Sequence, residues 1–157
     1  PGAAAEIVAQ AIRGGVLALA AEQVGGAQRC LDMAVAYAKV RHQFGRAIGS
    51  FQAIKHMCAD MLLEVESARS AAYRAAWAAA EGAADLPLIA SLAKAYCSEA
   101  YFHVAASNIQ VHGGIGFTWE HDAHLYYRRA RSAEVMLGTP ASHREVAAGL
   151  MLNDAAG

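Results

Sequence analysis

The sequence predicts an all-α fold: an antiparallel, up-down four-helix bundle with additional short helices at its C-terminal end. Hydrophobic residues make up 56% of the chain and charged residues 17%, and much of the apolar content is alanine, the strongest helix former. Four long segments carry apolar residues at helical spacing, and short breaks rich in glycine or proline separate them. No segment alternates with the period of a strand for long enough to predict one.

The first two helices are defined by apolar stripes on either side of a glycine-rich break. The first helix is expected from about Glu6 to His42, and its stripe comprises Val24, Ala27, Leu31, Ala34, Val35 and Ala38. The break covers Phe44 to Ser50, and Ser50 is a suitable N-cap for a second helix from Phe51 to about Glu81. The stripe of the second helix comprises Phe51, Ile54, Cys58, Met61, Leu62, Val65, Ala68, Ala72 and Ala76.

Three further helices follow the turn at Gly82. Asp85 is expected to cap the third helix, and Pro87 suits its first turn because the ring needs no helical hydrogen-bond donor there. The remaining boundaries are a stop of the third helix at Gly113-Gly114, a shorter helix from about Glu120 to Val135, a break at Gly138-Thr139-Pro140, and a last helix from about Ala141 to Leu152.

Length and composition limit the possible functions. A chain of 157 residues fits one domain, and a net charge of -1 without a basic stripe argues against nucleic acid as a partner. The cysteines Cys30, Cys58 and Cys97 are odd in number and far apart, which indicates free thiols in a reducing, cytoplasmic compartment. No uncharged apolar stretch of about 18 residues predicts a membrane span. The start at Pro1 leads at once into helical sequence, which suggests a piece of a longer protein.

The first break contains residues that a bundle does not need for folding, in the segment from Arg41 to Gly45. In one interpretation the Arg41 cation only stabilises the negative end of the first helix, before a glycine stop. In the other interpretation Arg41 binds a phosphate in a forked arrangement, while Gln43 and Phe44 contact a heterocycle.

The second break, from Gln110 to Thr118, has three glycines in four positions. Ending a helix requires fewer, so these glycines would let the backbone pass close to a bulky ligand with its amide groups free to donate. The segment does not match the dinucleotide fingerprint, because no strand precedes it, or a P-loop, because no lysine follows. A plain loop remains the alternative.

Two other groups of residues favour structural roles. Glu120, His121, Asp122 and His124 cluster, but the sequence has no Glu-x-x-His motif, so a solvated helix start is favoured over a metal site. Four aromatic residues fall at helical spacing and are expected in the core: Tyr73, Trp77, Tyr96 and Phe102.

Taken together, the two breaks resemble the C-terminal helical domain of acyl-CoA dehydrogenases. The segment from Arg41 to Ile54 resembles the family's Arg-x-Gln-Phe-Gly motif, which leads into a Phe-Gln helix start. The segment from Gln110 to Phe117 resembles the Gln-x-x-Gly-Gly-x-Gly loop, and Tyr127-Arg128 and Gly138-Thr139 follow in the expected order. The resemblance implies that residues 1–157 form this domain, without the family's N-terminal helical domain and middle β-domain.

The resemblance implies a cofactor, FAD, and a set of residues that contact it. Arg41 would pair with the FAD pyrophosphate, with Gln43 and Phe44 beside the adenosine end and Gln52 in the same region. The remaining contacts would come from Gln110, Gly113 and Gly114, which approach the cofactor of a neighbouring subunit, and from Thr139 near the active site. The arginine and the triple-glycine turn are thus expected to converge, across subunits, on one flavin nucleotide.

The activity implied by the resemblance is the oxidation of an acyl-CoA to its 2-enoyl form, as in β-oxidation. In the family a carboxylate removes the α-proton while flavin N5 takes the β-hydride, and the electrons pass to an electron-transfer flavoprotein. The bundle would supply the contacts of a homo- or hetero-oligomer, a dimer or a tetramer.

One departure from the family concerns the catalytic base, so the catalytic residue stays unassigned. The usual glutamate directly before the Gly-Thr pair is Leu137, and the alternative position on the first helix falls near Gly15. Three explanations are open: a non-catalytic subunit that completes a partner's FAD site, a base elsewhere in a longer protein, or a local misalignment. A flavin oxidase of the same superfamily is a further alternative.

Overall fold

The computed structural model describes residues 2–155 and confirms the all-α prediction. Within these residues the helices are α1 (Ala3–Val40), α2 (Gln52–Ala80), α3 (Leu86–His112), α4 (Ala123–Val135) and α5 (Pro140–Ala155). The shorter elements are strands β1 (His42–Gln43) and β2 (Arg46–Ala47) and the 3₁₀ turns Ile48–Ser50 and Gly113–Phe117. Helix α3 is central, because it packs against each of the other four helices.

Small side chains line the contacts between the long helices. Ala27 and Ala34 of α1 and Ala100 and Ala105 of α3 are fully buried. Alanine at such positions lets two helices approach closely while keeping a high helix propensity. Tyr101, which is 2% exposed, is the largest fully buried side chain among the described residues. The alanine-rich sequence therefore specifies a thin, closely packed core.

The connection between α1 and α2 corrects the predicted end of the first helix. Helix α1 ends at Val40 rather than His42, and an antiparallel pair of two-residue strands follows, with His42 opposite Ala47. The central residues of its turn, Phe44 and Gly45, have φ angles of 53° and 78°. Both being positive is the signature of the mirror-image turns that join hairpin strands. Strands this short carry no readable alternation, so the sequence could not predict them.

Two of the predicted helix caps are wrong. Ser50 lies in the 3₁₀ turn and its hydroxyl donates to the Ala47 carbonyl at 2.7 Å, so it does not cap α2. Asp85 precedes α3, but its carboxylate accepts from Arg74 at 3.1 Å instead of a helix amide. In both cases another partner lies within reach of the side chain. The predicted position of Pro87 in the first turn of α3 is confirmed.

The prediction that the aromatic residues lie in the core is wrong for three of the four. Tyr73 and Trp77 are 68% and 63% exposed, and Tyr96 is 37% exposed. Phe102 is half-buried, with its ring centroid 5.4 Å from that of Tyr127. Apart from Tyr101, mostly small side chains fill the contacts between the long helices, and Tyr73, Trp77 and Tyr96 lie on the outer surface of α2 and α3.

Helix α1 is apolar enough to raise the question of a membrane. It contains an 18-residue window of mean hydropathy 1.4, of which 17% is buried within the chain. By length and composition alone this window could cross a membrane, a test that core helices of soluble proteins also pass. The second half of α1 packs into the bundle, whereas Ile7, Val8 and Ile12 in its first half are exposed.

All three cysteines are free thiols. Cys30 and Cys97 are buried, and Cys58 is partly exposed. Burial raises the pKa of Cys30 and of Cys97 to about 12, so both remain protonated and unreactive at neutral pH. These two cysteines therefore serve as small apolar core residues.

Candidate cofactor-binding site

The two breaks singled out in the sequence meet at one end of the bundle, within a single chain. Helices α1 and α3 run side by side in the same direction, so their C-terminal ends lie together. Between them is a groove of about 440 Å³. Its lining includes Arg41 and Gln43 from the first break and Gly113 and Gly114 from the second. Four of the eight residues expected to contact a cofactor therefore share one groove.

Arg41 ends helix α1 through its backbone and leaves its side chain free. Its amide donates to the Tyr37 carbonyl at 2.9 Å, and its carbonyl accepts from the Ile48 amide at 2.8 Å. The side chain is exposed, and within residues 2–155 it makes no hydrogen bond or ion pair. The backbone accounts for the helix end, so the guanidinium remains available to an anion in the groove.

The structure explains the three glycines of the second break in different ways. Gly113 has a φ of 65°, a conformation that favours glycine at a helix end. At Gly116 a Cβ would lie 3.0 Å from the Ile109 carbonyl oxygen, so close packing requires glycine there. At Gly114 a Cβ would meet nothing within 4 Å, and its φ is not positive. The fold does not require a glycine at 114, but the open space beside it suits the approach of a ligand.

Two stacked rings, Tyr37 and His112, line the groove, a feature that the sequence analysis missed. His112 stacks on Tyr37 with ring centroids 4.3 Å apart, and His121 packs on the other side of His112, also at 4.3 Å. The His112 Nδ1 lies 2.8 Å from the Asn108 carbonyl, which can only accept, so Nδ1 carries a proton. Burial lowers the pKa of His112, and this ring is therefore neutral at pH 7.

His121 also corrects the interpretation of the polar cluster before α4. Its Nδ1 accepts a hydrogen bond from the Ala123 amide at 3.1 Å, so His121 caps the first turn of α4. This explains why the helix begins at Ala123 rather than at the predicted Glu120. Among residues 2–155 no group of three or more His, Cys, Asp or Glu side chains is arranged to hold a metal ion.

Three further predicted site residues lie near the groove but outside its lining. Phe44 is 92% exposed at the tip of the hairpin, with a φ of 53° that is unfavourable for a bulky residue. Gln52 is the first residue of α2 and Gln110 lies in the last turn of α3, and both are exposed. An exposed ring held in a strained turn is available to a partner molecule.

Thr139 lies at the opposite end of the bundle. The carbonyl of the preceding Gly138 accepts a hydrogen bond from Lys94 at 3.0 Å. Lys94 is 18 residues before the end of α3, which corresponds to about 27 Å along a helix axis. The Thr139 hydroxyl oxygen accepts from the Ser142 amide at 3.2 Å and thereby caps α5. The structure thus gives Thr139 a folding role and does not bring it into the groove.

Comparison with known proteins identifies the family. The family model described as "Acyl-CoA dehydrogenase, C-terminal domain" matches residues 5–152. The chain belongs to the acyl-CoA dehydrogenase family. It is 48% identical over 124 residues to the acyl-CoA dehydrogenase IpdE2 of Mycolicibacterium smegmatis, which covers 79% of this chain and 38% of that protein.

Two other matches extend the comparison. The caffeyl-CoA reductase-Etf complex subunit CarC of Acetobacterium woodii is 38% identical over 138 residues, covering 88% of this chain and 36% of CarC. The solved complex of glutaryl-coenzyme A dehydrogenase with glutaryl-CoA superposes with a TM-score of 0.92 and 36% identity, over 98% of this chain and 39% of that one. The chain thus spans less than two fifths of the length of each of these three relatives.

The two positions at which the resemblance led us to expect a catalytic base, Leu137 and Gly15, are in contact. A Cβ added at Gly15 would lie 2.9 Å from the Cδ1 of Leu137, so the leucine side chain rests directly on this glycine. Leu137 has a φ of 59°, which is unfavourable for a branched side chain. Neither residue can accept a proton.

The acidic residues nearest to these two positions in sequence are held in ion pairs. Glu22 accepts from Arg129 at 2.6 Å, and this hydrogen bond lowers the pKa of the Glu22 carboxyl. Glu134 pairs with Arg131 within α4. For Glu22, a carboxylate held as an anion by an arginine is a weaker base than a free one. The Glu134 carboxylate is occupied by its ion pair with Arg131. We therefore assign the missing glutamate's role to neither residue.

Proposed function

We propose that this chain is the C-terminal domain of an FAD-dependent acyl-CoA dehydrogenase, and that its groove holds the pyrophosphate and adenosine part of FAD. The observation that carries the proposal is the pairing of a free Arg41 guanidinium with open space at Gly114. A diphosphate suits the forked arginine, and the glycine backbone lets a large ligand come close. Gln43, Gln52 and Gln110 add exposed amides around the groove.

The positions of the site residues support a cofactor shared between subunits. The groove and Thr139 are separated by about the length of the helix between them, about 27 Å. One chain would therefore offer the groove to one FAD and the Thr139 end to another. Each FAD would then lie between two subunits of an oligomer. This division differs from the expected one, in which Arg41 and the glycine turn approach one flavin from different subunits, because both line one groove of a single chain.

The chain's own residues would bind and orient reactants rather than take the proton. FAD would supply the hydride acceptor for oxidation of an acyl-CoA to its 2-enoyl form. Arg41 would fix the pyrophosphate, and the Phe44 ring would lie against the adenosine. Because Leu137 and Gly15 cannot act as bases, the α-proton would be removed by a carboxylate outside these two positions.

We further propose an electron-transfer flavoprotein as electron acceptor and the cytoplasm as location. The first proposal draws on CarC, which by its name is a subunit of an Etf complex. The second rests on three free cysteines, which suit a reducing compartment.

The test uses the full-length protein purified with its natural partners. Bound flavin is measured by visible absorption, and oxidation of acyl-CoA thioesters by reduction of an artificial electron acceptor. The proposal expects bound FAD and acyl-CoA-dependent reduction of that acceptor. A preparation that contains no FAD and cannot be reconstituted with it would overturn the proposal. Stoichiometric peroxide formation would identify an oxidase instead.

A second candidate function is a non-catalytic subunit of a hetero-oligomeric acyl-CoA dehydrogenase. The observation that favours it is the contact of Leu137 with Gly15, because both family base positions are neutral and packed together. Co-purification with a homologue that carries glutamate before its Gly-Thr pair would support this function. Acyl-CoA oxidation by the homo-oligomer alone would rule it out.

A further inference from the structure

Lys94 is a buried cation that no sequence motif predicted. It lies in the first half of α3 and is 0% exposed. Its ammonium donates to the Ser98 hydroxyl oxygen at 2.9 Å, to the Glu134 carbonyl at 3.2 Å and to the Gly138 carbonyl at 3.0 Å. Within residues 2–155 no carboxylate lies within 4.0 Å of this ammonium. Three neutral oxygens therefore use its three N–H groups.

The ammonium is joined to a second helix through Ser98. The Gln23 side chain of α1 is also 0% exposed, and its Nε2 donates to the Ser98 hydroxyl oxygen at 3.0 Å. Burial lowers the pKa of Lys94, because the charged ammonium is less stable away from water than in it. A neutral apolar side chain would fill this position without that cost. What the charge provides is contact with two backbone carbonyls, those of Glu134 and Gly138.

These carbonyls stand at the two ends of one tight turn. Glu134 lies in the last turn of α4, and Gly138 directly precedes Thr139 and α5. Within this turn, Leu137 and Gly138 have φ angles of 59° and 109°. The turn's own backbone bond, from the Gly138 amide to the Val135 carbonyl, is long at 3.4 Å. Two successive positive φ angles, one of them at leucine, persist only where surrounding contacts hold them.

We propose that Lys94 is a positioning residue that holds this turn in the shape in which Thr139 meets the flavin. The cation also stabilises the negative end of α4, where the Glu134 carbonyl accepts from it. Lys94 acts through the backbone of residues 134–138 and does not itself touch a reactant. The part that concerns the turn stands on the structure alone, and the part that concerns the flavin rests on the proposed function.

The test compares Lys94→Met with the wild type in the full-length protein and its natural partners. Methionine keeps an unbranched chain but cannot donate, and Lys55→Met makes the same change at an exposed helical position. We expect hydrogen exchange of the Gly138 and His143 amides to be about tenfold faster or more in Lys94→Met, because two carbonyls lose a donor. We also expect lower FAD retention and a shifted flavin absorption band, with neither change in Lys55→Met.

Each outcome separates the parts of the proposal. Unchanged amide exchange in folded Lys94→Met would overturn it. Faster exchange with an unchanged flavin spectrum and unchanged retention would overturn the link to the flavin. A wild type without FAD would contradict the proposed function, while amide exchange would still decide whether Lys94 holds the turn. If Lys94→Met does not fold, Lys94→Gln replaces it, because glutamine is shorter and uncharged and cannot reach both carbonyls, and unchanged exchange in that variant would overturn the proposal.

Discussion

At the scale of single residues, Arg41 combines a backbone that ends α1 with a side chain that is free for a ligand. Arg41→Ala in the full-length protein should therefore lower FAD retention, measured as the flavin-to-protein ratio after gel filtration. Its effect on the free energy of unfolding should stay below about 1 kcal/mol, the contribution of a charge at an exposed helix end.

Arg41→Lys is the matched variant for this prediction. Lysine keeps the positive charge but loses the forked donors, so its FAD retention should lie between those of the wild type and of Arg41→Ala. A flavin content of Arg41→Ala equal to that of the wild type would contradict the placement of the pyrophosphate.

Single residues also show why part of the site was predictable. Arg41 and Gly114 stand out in sequence because a cation and repeated glycines at helix ends exceed what the helix ends need. Lys94 does not stand out, since its partners Glu134 and Gly138 are about 40 residues away and are backbone carbonyls. The contact of Leu137 with Gly15 likewise exists only after α1 and the α4–α5 turn pack together.

At the scale of the elements, the packing of α1 on α3 depends on one glycine. A Cβ at Gly26 would lie 2.5 Å from the Cζ of Tyr101, whose ring is buried and cannot move aside easily. Gly26→Ala should therefore lower the free energy of unfolding, by about 1–3 kcal/mol for an overpacked core. At the neighbouring Gly25 a Cβ would meet nothing within 4 Å. Gly25→Ala should raise the stability by up to about 1 kcal/mol through helix propensity.

Urea unfolding of the two glycine variants measures this difference. Because both variants make the same chemical change on adjacent residues of α1, effects of opposite sign isolate the contact with Tyr101. Equal shifts in the unfolding midpoint would contradict the described packing of the two helices.

The end of α3 should confer a pH dependence on stability. Burial, and more weakly the neighbouring His121, lowers the pKa of His112 below its ordinary value of 6.5. Below that value the unfolded chain binds the proton more readily than the folded protein does. Stability should therefore fall as the pH drops from about 7 to about 5, and it is fully present above 6.5.

His112→Phe tests this pH dependence, because phenylalanine keeps the ring stack but takes up no proton. Urea unfolding at about pH 7 and about pH 5 should show a smaller loss of stability for this variant than for the wild type. His56→Phe, at an exposed position, serves as the control and should leave the loss unchanged. Equal losses in His112→Phe and the wild type would contradict a neutral, buried His112.

The helices and their caps also show which sequence signals predicted the structure and which did not. The long helices follow their apolar periodicity, and the glycine stop at Gly113 ends α3 as predicted. The caps at Ser50 and Asp85 failed because a side chain that can cap a helix can equally bind a nearby carbonyl or arginine. Sequence spacing does not reveal which partner lies closer.

At the scale of the whole molecule, the exposed aromatic residues show that large rings at helical spacing do not by themselves indicate a core. Tyr73 and Trp77 fall at helical spacing, which is as typical of an interface stripe as of a core stripe. In a bundle whose core is filled mostly by small side chains, rings on the outer surface can be buried only against another chain or domain. The periodicity predicted the helix correctly, and only the packing showed which side of it faces outward.

This outer surface of α2 should hold the oligomer together. Leu62, Tyr73 and Trp77 lie on one side of the helix and are 49%, 68% and 63% exposed. Large exposed rings of this kind are typical anchors of protein interfaces. Trp77→Glu should therefore reduce the sedimentation coefficient of the full-length protein, since it places a charge where an apolar contact is expected.

Ala84→Glu is the matched control for Trp77→Glu, because it adds the same charge at an exposed position in the turn between α2 and α3. It should leave the assembly intact. If each FAD lies between subunits, Trp77→Glu should also lose flavin although Trp77 lies far along α2 from Gln52 at the groove end. Since 25 residues of helix span about 37 Å, direct contact with the FAD in the chain's own groove cannot explain that loss. An unchanged oligomer in Trp77→Glu would place the subunit interface on another surface of the bundle.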